Sequence, residues 1–171
     1  MDAKGRRAHI EAALAGGGGP VSATKLAQEL GVSRQIIVGD VALLRAQGAD
    51  ISATPRGYIG AQPTAGITAT AACTHGFEDM ERELTTIVDE GGEAVDVLVE
   101  HPVYGQLQGQ LHIRSRHDVA EFLRRLKEDG ARPLSALTGG IHLHTLAAPD
   151  GETMERVLKA LDREGFLLKE L

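Results

Sequence analysis

The sequence predicts a mixed α/β (α+β) chain in two parts. Residues 1–60 read as a winged helix-turn-helix, and residues 67–171 as a βαββαβ-type domain with an extra helix and strand. Three observations carry this. The first part holds three apolar-striped helical segments, two of them around a tight Gly31-Val32-Ser33 turn, and then a short hairpin pattern. Residues 60–66, rich in Gly, Pro, Ala, Gln and Thr, read as a linker. Beyond them the hydrophobic period alternates between strand and helix values in the order β-α-β-β-α-β-α-β.

The first helix is predicted over residues 3–14, with Ile10 and Leu14 on one face; the glycines at 16–19 and Pro20 break it. Ser22 is a good N-cap for a short helix over 23–30, which Gly31 ends. Ser33 caps a third helix over 34–46, whose buried stripe is Ile37, Val41 and Leu44 at i, i+4 and i+7; Gly48 stops it. Residues 51–53 and 57–59 form two short strands joined through Thr54-Pro55-Arg56. In the second part, strands are expected at 67–74, 94–100, 107–113, 141–147 and 166–169, and helices at 77–89, 118–128 and 152–164. The order predicts a mixed sheet with helices on one face, like a ferredoxin-type split βαβ unit with an extension.

At 171 residues, with 42% hydrophobic and 25% charged residues, the chain has the composition of an ordinary globular protein. It has no apolar run of membrane-spanning length, and its charged opening residues do not read as an export signal, which predicts the cytoplasm. The single cysteine, Cys73, excludes an internal disulfide and reads as a small buried apolar residue. A net charge of −6 argues against a protein that coats nucleic acid. The average hides an asymmetry: residues 1–60 carry seven Lys/Arg against five Asp/Glu, and the rest eleven against nineteen. The first part is thus compatible with facing phosphates.

Two short helices around a Gly-containing turn are what major-groove insertion needs. Ser33, Arg34, Gln35, Val38 and Asp40 lie off the predicted buried stripe and are the candidate base readers, since Arg forks onto guanine and Gln onto adenine. Arg56 at the hairpin tip is expected on phosphate or in the minor groove, and Lys25 and Arg45 on phosphates. The competing reading is a three-helix scaffold for dimerisation or partner binding. Gly39 is an oddity inside the third helix: it either permits close approach to DNA or loosens the helix.

The sharpest chemical signal is Ile141-His142-Leu143-His144. Histidines at i and i+2 on a strand share one face, and two adjacent imidazoles are half of a transition-metal site. His75, just past a predicted strand, and Glu83, roughly 12 Å further along the following helix, complete a candidate set of three His and one Glu. That set fits Zn, Ni, Fe or Co better than Mg or Ca. The plainer alternative is four buried or exposed side chains with ordinary hydrogen bonds. His101 is placed to bind an effector or to orient a ligand, and Phe77 or Tyr104 to stack on a planar molecule. His9, His112 and His117 are expected at the surface.

The two parts together resemble the NiaR-type niacin-responsive repressors, which pair a winged helix-turn-helix with a 3H domain. The resemblance rests on Ser33-Arg34-Gln35, the run from Asp40 to Arg45, Arg56-Gly57-Tyr58, Thr74-His75-Gly76-Phe77 with Glu83, the run from His101 to Gly105, and His142-Leu143-His144. It implies a homodimeric cytoplasmic repressor of genes for NAD synthesis or niacin uptake, binding double-stranded operator DNA with nicotinic acid as co-repressor. It also implies a divalent metal on His75, Glu83, His142 and His144, with His101, Tyr104 and Phe77 on the effector. At Gly39 the family leads one to expect a larger polar residue. A metal-only sensor is the alternative regulator. A metal-dependent hydrolase fused to a DNA module is disfavoured because no separate general base stands beside the candidate ligands.

Overall fold

A computed structural model describes residues 1–61 and 66–169, so residues 62–65 of the predicted linker lie outside the described residues. The chain divides into two compact units, Met1–Pro63 and Thr64–Leu171.

The N-terminal unit follows its sequence signals closely. Helix α1 spans Ala3–Ala15, α2 Ala23–Leu30 and α3 Arg34–Ala46; a hairpin of β1 (Ile51–Thr54) and β2 (Gly57–Gly60) follows. Ser22 and Ser33 cap α2 and α3, accepting hydrogen bonds from the amides of Lys25 (3.1 Å) and Ile36 (3.3 Å). Gly31 ends α2 in the left-handed conformation. Ile10, Leu14, Leu26, Ile37, Val41, Leu44 and Ile51 form the core. Tyr58 bonds Val21 through both backbone groups, pinning the hairpin beside the entry to α2. Gly57 sits there with φ +139°, where a Cβ would collide with the Val21 carbonyl.

In the C-terminal unit, β3 (Ile67–Thr74), a 3-10 turn (Phe77–Asp79) and α4 (Met80–Asp89) lead to the hairpin of β4 (Glu93–His101) and β5 (Gly105–Ile113). Helix α5 (Arg116–Glu128), a 3-10 turn (Leu134–Thr138), β6 (Ile141–Ala148) and α6 (Gly151–Arg163) complete it. The helices α4, α5 and α6 join one core with Ala71, Cys73, Ala94, Leu111, Leu146 and Ala148, so one sheet face is covered, as expected.

Three expectations are corrected. The sheet, in the order β3-β6-β4-β5, is antiparallel at every pairing rather than mixed. Each helical crossover skips a strand: β6 lies between β3 and β4, and β4 between β5 and β6. Parallel strands therefore never touch. Residues 166–169 form only an isolated bridge, Leu167 to Cys73, alongside β3 rather than a strand. Helix α4 begins at Met80, after a 3-10 turn that the sequence reading merged with it.

Candidate metal centre and nucleic-acid interface

Three elements build the predicted cluster. His142 and His144 project from β6 onto the helix-covered face, in the same row as the core residues Leu146 and Ala148. His75 follows the last residue of β3, and Glu83 lies in the first turn of α4. The Glu83 carboxylate, 1% exposed, faces all three rings. His75 Nε2 is 2.6 Å from Oε2, His142 Nε2 3.0 Å from Oε1 and His144 Nε2 3.3 Å from Oε2. A 3-10 turn separates His75 from α4, and the Glu83 side chain, like others on a helix, leans back toward the N-terminus and so toward His75. The rings of His75 and His144 each stand nearly perpendicular to that of His142, at centroid distances of 4.8 and 4.9 Å.

The other ring nitrogens fix the chemistry. Nδ1 of His75 lies 2.8 Å from the Gly76 carbonyl, Nδ1 of His142 2.8 Å from the Gly140 carbonyl, and Nδ1 of His144 2.6 Å from the Asp96 carbonyl. A carbonyl only accepts, so each Nδ1 carries its proton and donates. Neutral rings so oriented aim three Nε2 lone pairs at carboxylate oxygens, which repels. The cluster is consistent only with positive charge between rings and carboxylate, supplied by protons on the rings or by a cation. Burial opposes charge on Glu83, but hydrogen bonds from His142, His144 and His75 outweigh it and hold the carboxyl far below its ordinary range. Burial also opposes charge on His75 and His144, and Glu83 reverses the balance, raising both.

The backbone supports this aim. Gly140, at φ +100°, packs so closely on His75 that a Cβ would collide with the His75 carbonyl. The register of β4 against β6 breaks between Ala94 and Leu98. In that gap the Asp96 carbonyl takes the His144 ring proton, while its buried carboxylate accepts from the Thr145 amide (2.9 Å) and Gln108 Nε2 (2.7 Å).

On α3, Arg34 and Gln35 are exposed and Val38 is half-buried. The Ser33 hydroxyl is engaged as the helix cap. Lys25 and Arg45 are exposed; Arg45 Nε donates to the Ile51 carbonyl at 2.7 Å and its guanidinium lies over the Tyr58 ring, while the Arg56 amide donates to Thr54 Oγ1. Asp40 corrects the sequence reading. It is 4% exposed and accepts from Arg6 Nε (2.5 Å) and Arg7 Nη1 (3.3 Å) of α1. Adjoining Ile37 and Leu44 on the helix wheel, it turns toward α1 and locks the two helices together rather than reading bases.

Residues 6–59 match the HTH domain family and residues 68–170 the 3H domain family. The chain is 47% identical over 151 residues to a probable transcription repressor NiaR of Thermotoga maritima. It is 41% identical over 155 residues to the transcription repressor NadR of Bacillus subtilis. Each alignment covers 88% of this chain and 86% of the relative. The chain belongs to the NiaR/NadR family of transcription repressors. It is accordingly a repressor with a DNA-binding helix-turn-helix and not an enzyme. Among the described residues, no helix of this repressor is long and apolar enough to cross a membrane.

The predicted effector residues of the repressor are more dispersed than its histidine cluster. His101 and Tyr104 share the β4–β5 turn with ring centroids 5.1 Å apart. Tyr104 and Phe77 are both exposed. The His101 Nδ1 accepts from the amides of Val103 (3.1 Å) and Tyr104 (3.2 Å), so its proton is on Nε2. A cavity of about 570 Å³ opens at this end of the sheet, lined by Leu98, Glu100, Gln106, Thr138, Ile141 and His142 among others.

Sequence reasoning missed Asp96 and treated Cys73 as inert. Cys73 pairs directly with His142 across β3 and β6, and its sulfur joins Glu83 and His142 in a group whose donor atoms lie within 4.8 Å of one another. Burial, and then the neighbouring Glu83, push the thiol well above its usual value. The spacing Cys73-x-His75 was the available signal. His112, expected at the surface, is half-buried with φ +50°, its ring bonded to Glu93 (3.1 Å) and Gln110 (2.9 Å) where β5 shifts register against β4 between Ala94 and Asp96.

Proposed function

We propose that this repressor binds operator DNA as a cytoplasmic homodimer and controls genes of NAD synthesis or niacin uptake. Nicotinic acid is its co-repressor, and a divalent transition metal (Zn, Ni, Fe or Co) is held by His75, Glu83, His142 and His144. One observation supports the metal: three Nε2 atoms, on rings whose Nδ1 protons are each held by a backbone carbonyl, converge on one buried carboxylate, a set that needs positive charge at its centre. The donor set, three imidazoles and a carboxylate, fits a borderline divalent ion. When bound, the ion supplies the positive charge these donors require and attracts an effector's carboxylate.

The chain's own residues do the rest. The carbonyls of Gly76, Gly140 and Asp96 hold the rings in one tautomer. The cavity reaching His142 has the size of small-molecule sites. His101, with its proton on Nε2, is suited to donate to a carboxylate, and Tyr104 or Phe77 to cover an aromatic ring. The exposed Arg34 and Gln35 read base edges, Val38 adds an apolar contact, and Lys25, Arg45 and Arg56 serve phosphates. Effector binding raises DNA affinity only as far as it prefers one dimer geometry; a tenfold gain needs about 1.4 kcal/mol.

Elemental analysis of purified wild type and His142→Ala tests the metal; the expected result is one ion per chain, lost in the variant. Anisotropy of a labelled duplex with and without nicotinate tests the effector. Equal affinity in both conditions for the metal-loaded protein overturns the co-repressor reading, while a response to metal alone identifies a metal sensor.

A further inference from the structure

Gly39 is a glycine inside a helix that the fold does not account for. It lies inside α3 with ordinary helical geometry, and a Cβ built on it meets nothing within 4 Å. Alanine fits there and forms helix more readily, so the packing of this unit does not call for glycine. At 3.6 residues per turn, Gly39 falls opposite the stripe of Ile37, Val41 and Leu44, in the middle of the exposed face. Gln35 precedes it by one turn. Ile36, three residues before it, and Leu43, four after, line one side of it, 42% and 50% exposed, with Gln35 and Ala42 on the other.

We infer that Gly39 is a specificity-determining residue: its missing side chain seats the C5-methyl group of a thymine, with Ile36 and Leu43 as the apolar wall beside it. The inference rests on α3 entering the major groove, as proposed above. The thymine methyl is the one apolar group on the major-groove edge of the base pairs. An exposed apolar pair beside a notch matches it, and a charged or polar edge does not. Gln35, one turn earlier on the same face, is the side chain that forks onto adenine, so the two positions together favour A·T-bearing steps.

The test uses the full-length, metal-loaded protein with nicotinate, and a duplex enriched by the wild type from a random-sequence pool. Replacing thymine by uracil at single positions deletes the methyl alone. Wild type is expected to lose about fourfold in affinity at one thymine per half-site, the value of one buried methyl. Gly39→Ala is expected to bind the thymine duplex roughly tenfold more weakly, with most of the loss recovered on the uracil duplex. Its Tm is expected to stay the same or rise, which separates a groove effect from misfolding. Gly39→Ala binding the thymine duplex as tightly as wild type, or losing equally on both duplexes, overturns the inference and leaves the repressor reading intact. Failure of the wild type to enrich any duplex overturns both.

Discussion

Replacing Glu83 by glutamine keeps the shape of the side chain and removes its charge. In the metal-free protein, Glu83 is the buried acceptor that three imidazoles share, and it is 1% exposed, so solvent does little to screen it. Removing one partner of such a group costs about 3–5 kcal/mol. For a unit of this size that lowers Tm by roughly 12–20 °C, taking about 4 °C per kcal/mol. Metal should then fail to restore it. In wild type, an ion at 100 times its Kd adds about 2.7 kcal/mol, or roughly 10 °C; in Glu83→Gln the gain should be within a degree or two of zero. Calorimetric melting of both proteins at pH 7, with chelator and with saturating Zn²⁺, gives the four numbers. An equal Zn²⁺-induced rise in both would falsify the assignment of Glu83 to the ion. An unchanged Tm in chelator would show that the carboxylate does not hold the three rings.

Four other outcomes are expected. In chelator, the lowered Glu83 contributes stability above its ordinary value of 4.5, lost as pH falls through the depressed value; the raised His75 and His144 contribute stability below 6.5, lost as pH rises through theirs. Metal-free Tm should therefore peak in mild acid and decline toward pH 8, and metal should reverse that decline because it binds deprotonated rings; a metal-free Tm climbing steadily from pH 6 to 8 refutes this. Asp96→Ala, which removes the carboxylate that anchors this backbone to Thr145 and Gln108, should displace the carbonyl that orients His144 and weaken metal binding about 10- to 100-fold, with unchanged affinity in titration calorimetry as the contrary result. Cys73, fully buried with a raised pKa, should resist a thiol reagent in native buffer and react fully in denaturant. Asp40→Asn should lower the Tm of the N-terminal unit by freeing Arg6 and Arg7, yet leave the base preferences of an enriched duplex unchanged; an altered preference would restore Asp40 as a base reader.

Much of this was legible where local rules act. The caps Ser22 and Ser33, the turn at Gly31 and the stripe of Ile37, Val41 and Leu44 set the first unit almost to the residue. The strand over 67–74 and the shared face of His142 and His144 followed from alternation alone. What depended on pairing was not legible. That Cys73 stands opposite His142 is a matter of register between strands almost 70 residues apart, and nothing near either residue encodes it. Asp96 reads as one acid in an apolar strand until the register break places its carbonyl on His144. Asp40 was misassigned because its charge argued for the surface although it borders Ile37 and Leu44 on the helix wheel; the two α1 arginines that compensate its burial lie 34 and 33 residues away.

The carboxylate contacts His142 and His144 across 59 and 61 residues of sequence. Closing such long loops is slow and comes after local structure. A nascent chain therefore possesses Glu83 and His75 well before it possesses their companions, and the four donors converge only when β6, the last strand of the sheet to be made, has slotted between β3 and β4. The cluster is thus completed late, once β6 has been made and paired, so a chain cut short before β6 keeps the whole N-terminal unit and lacks His142 and His144.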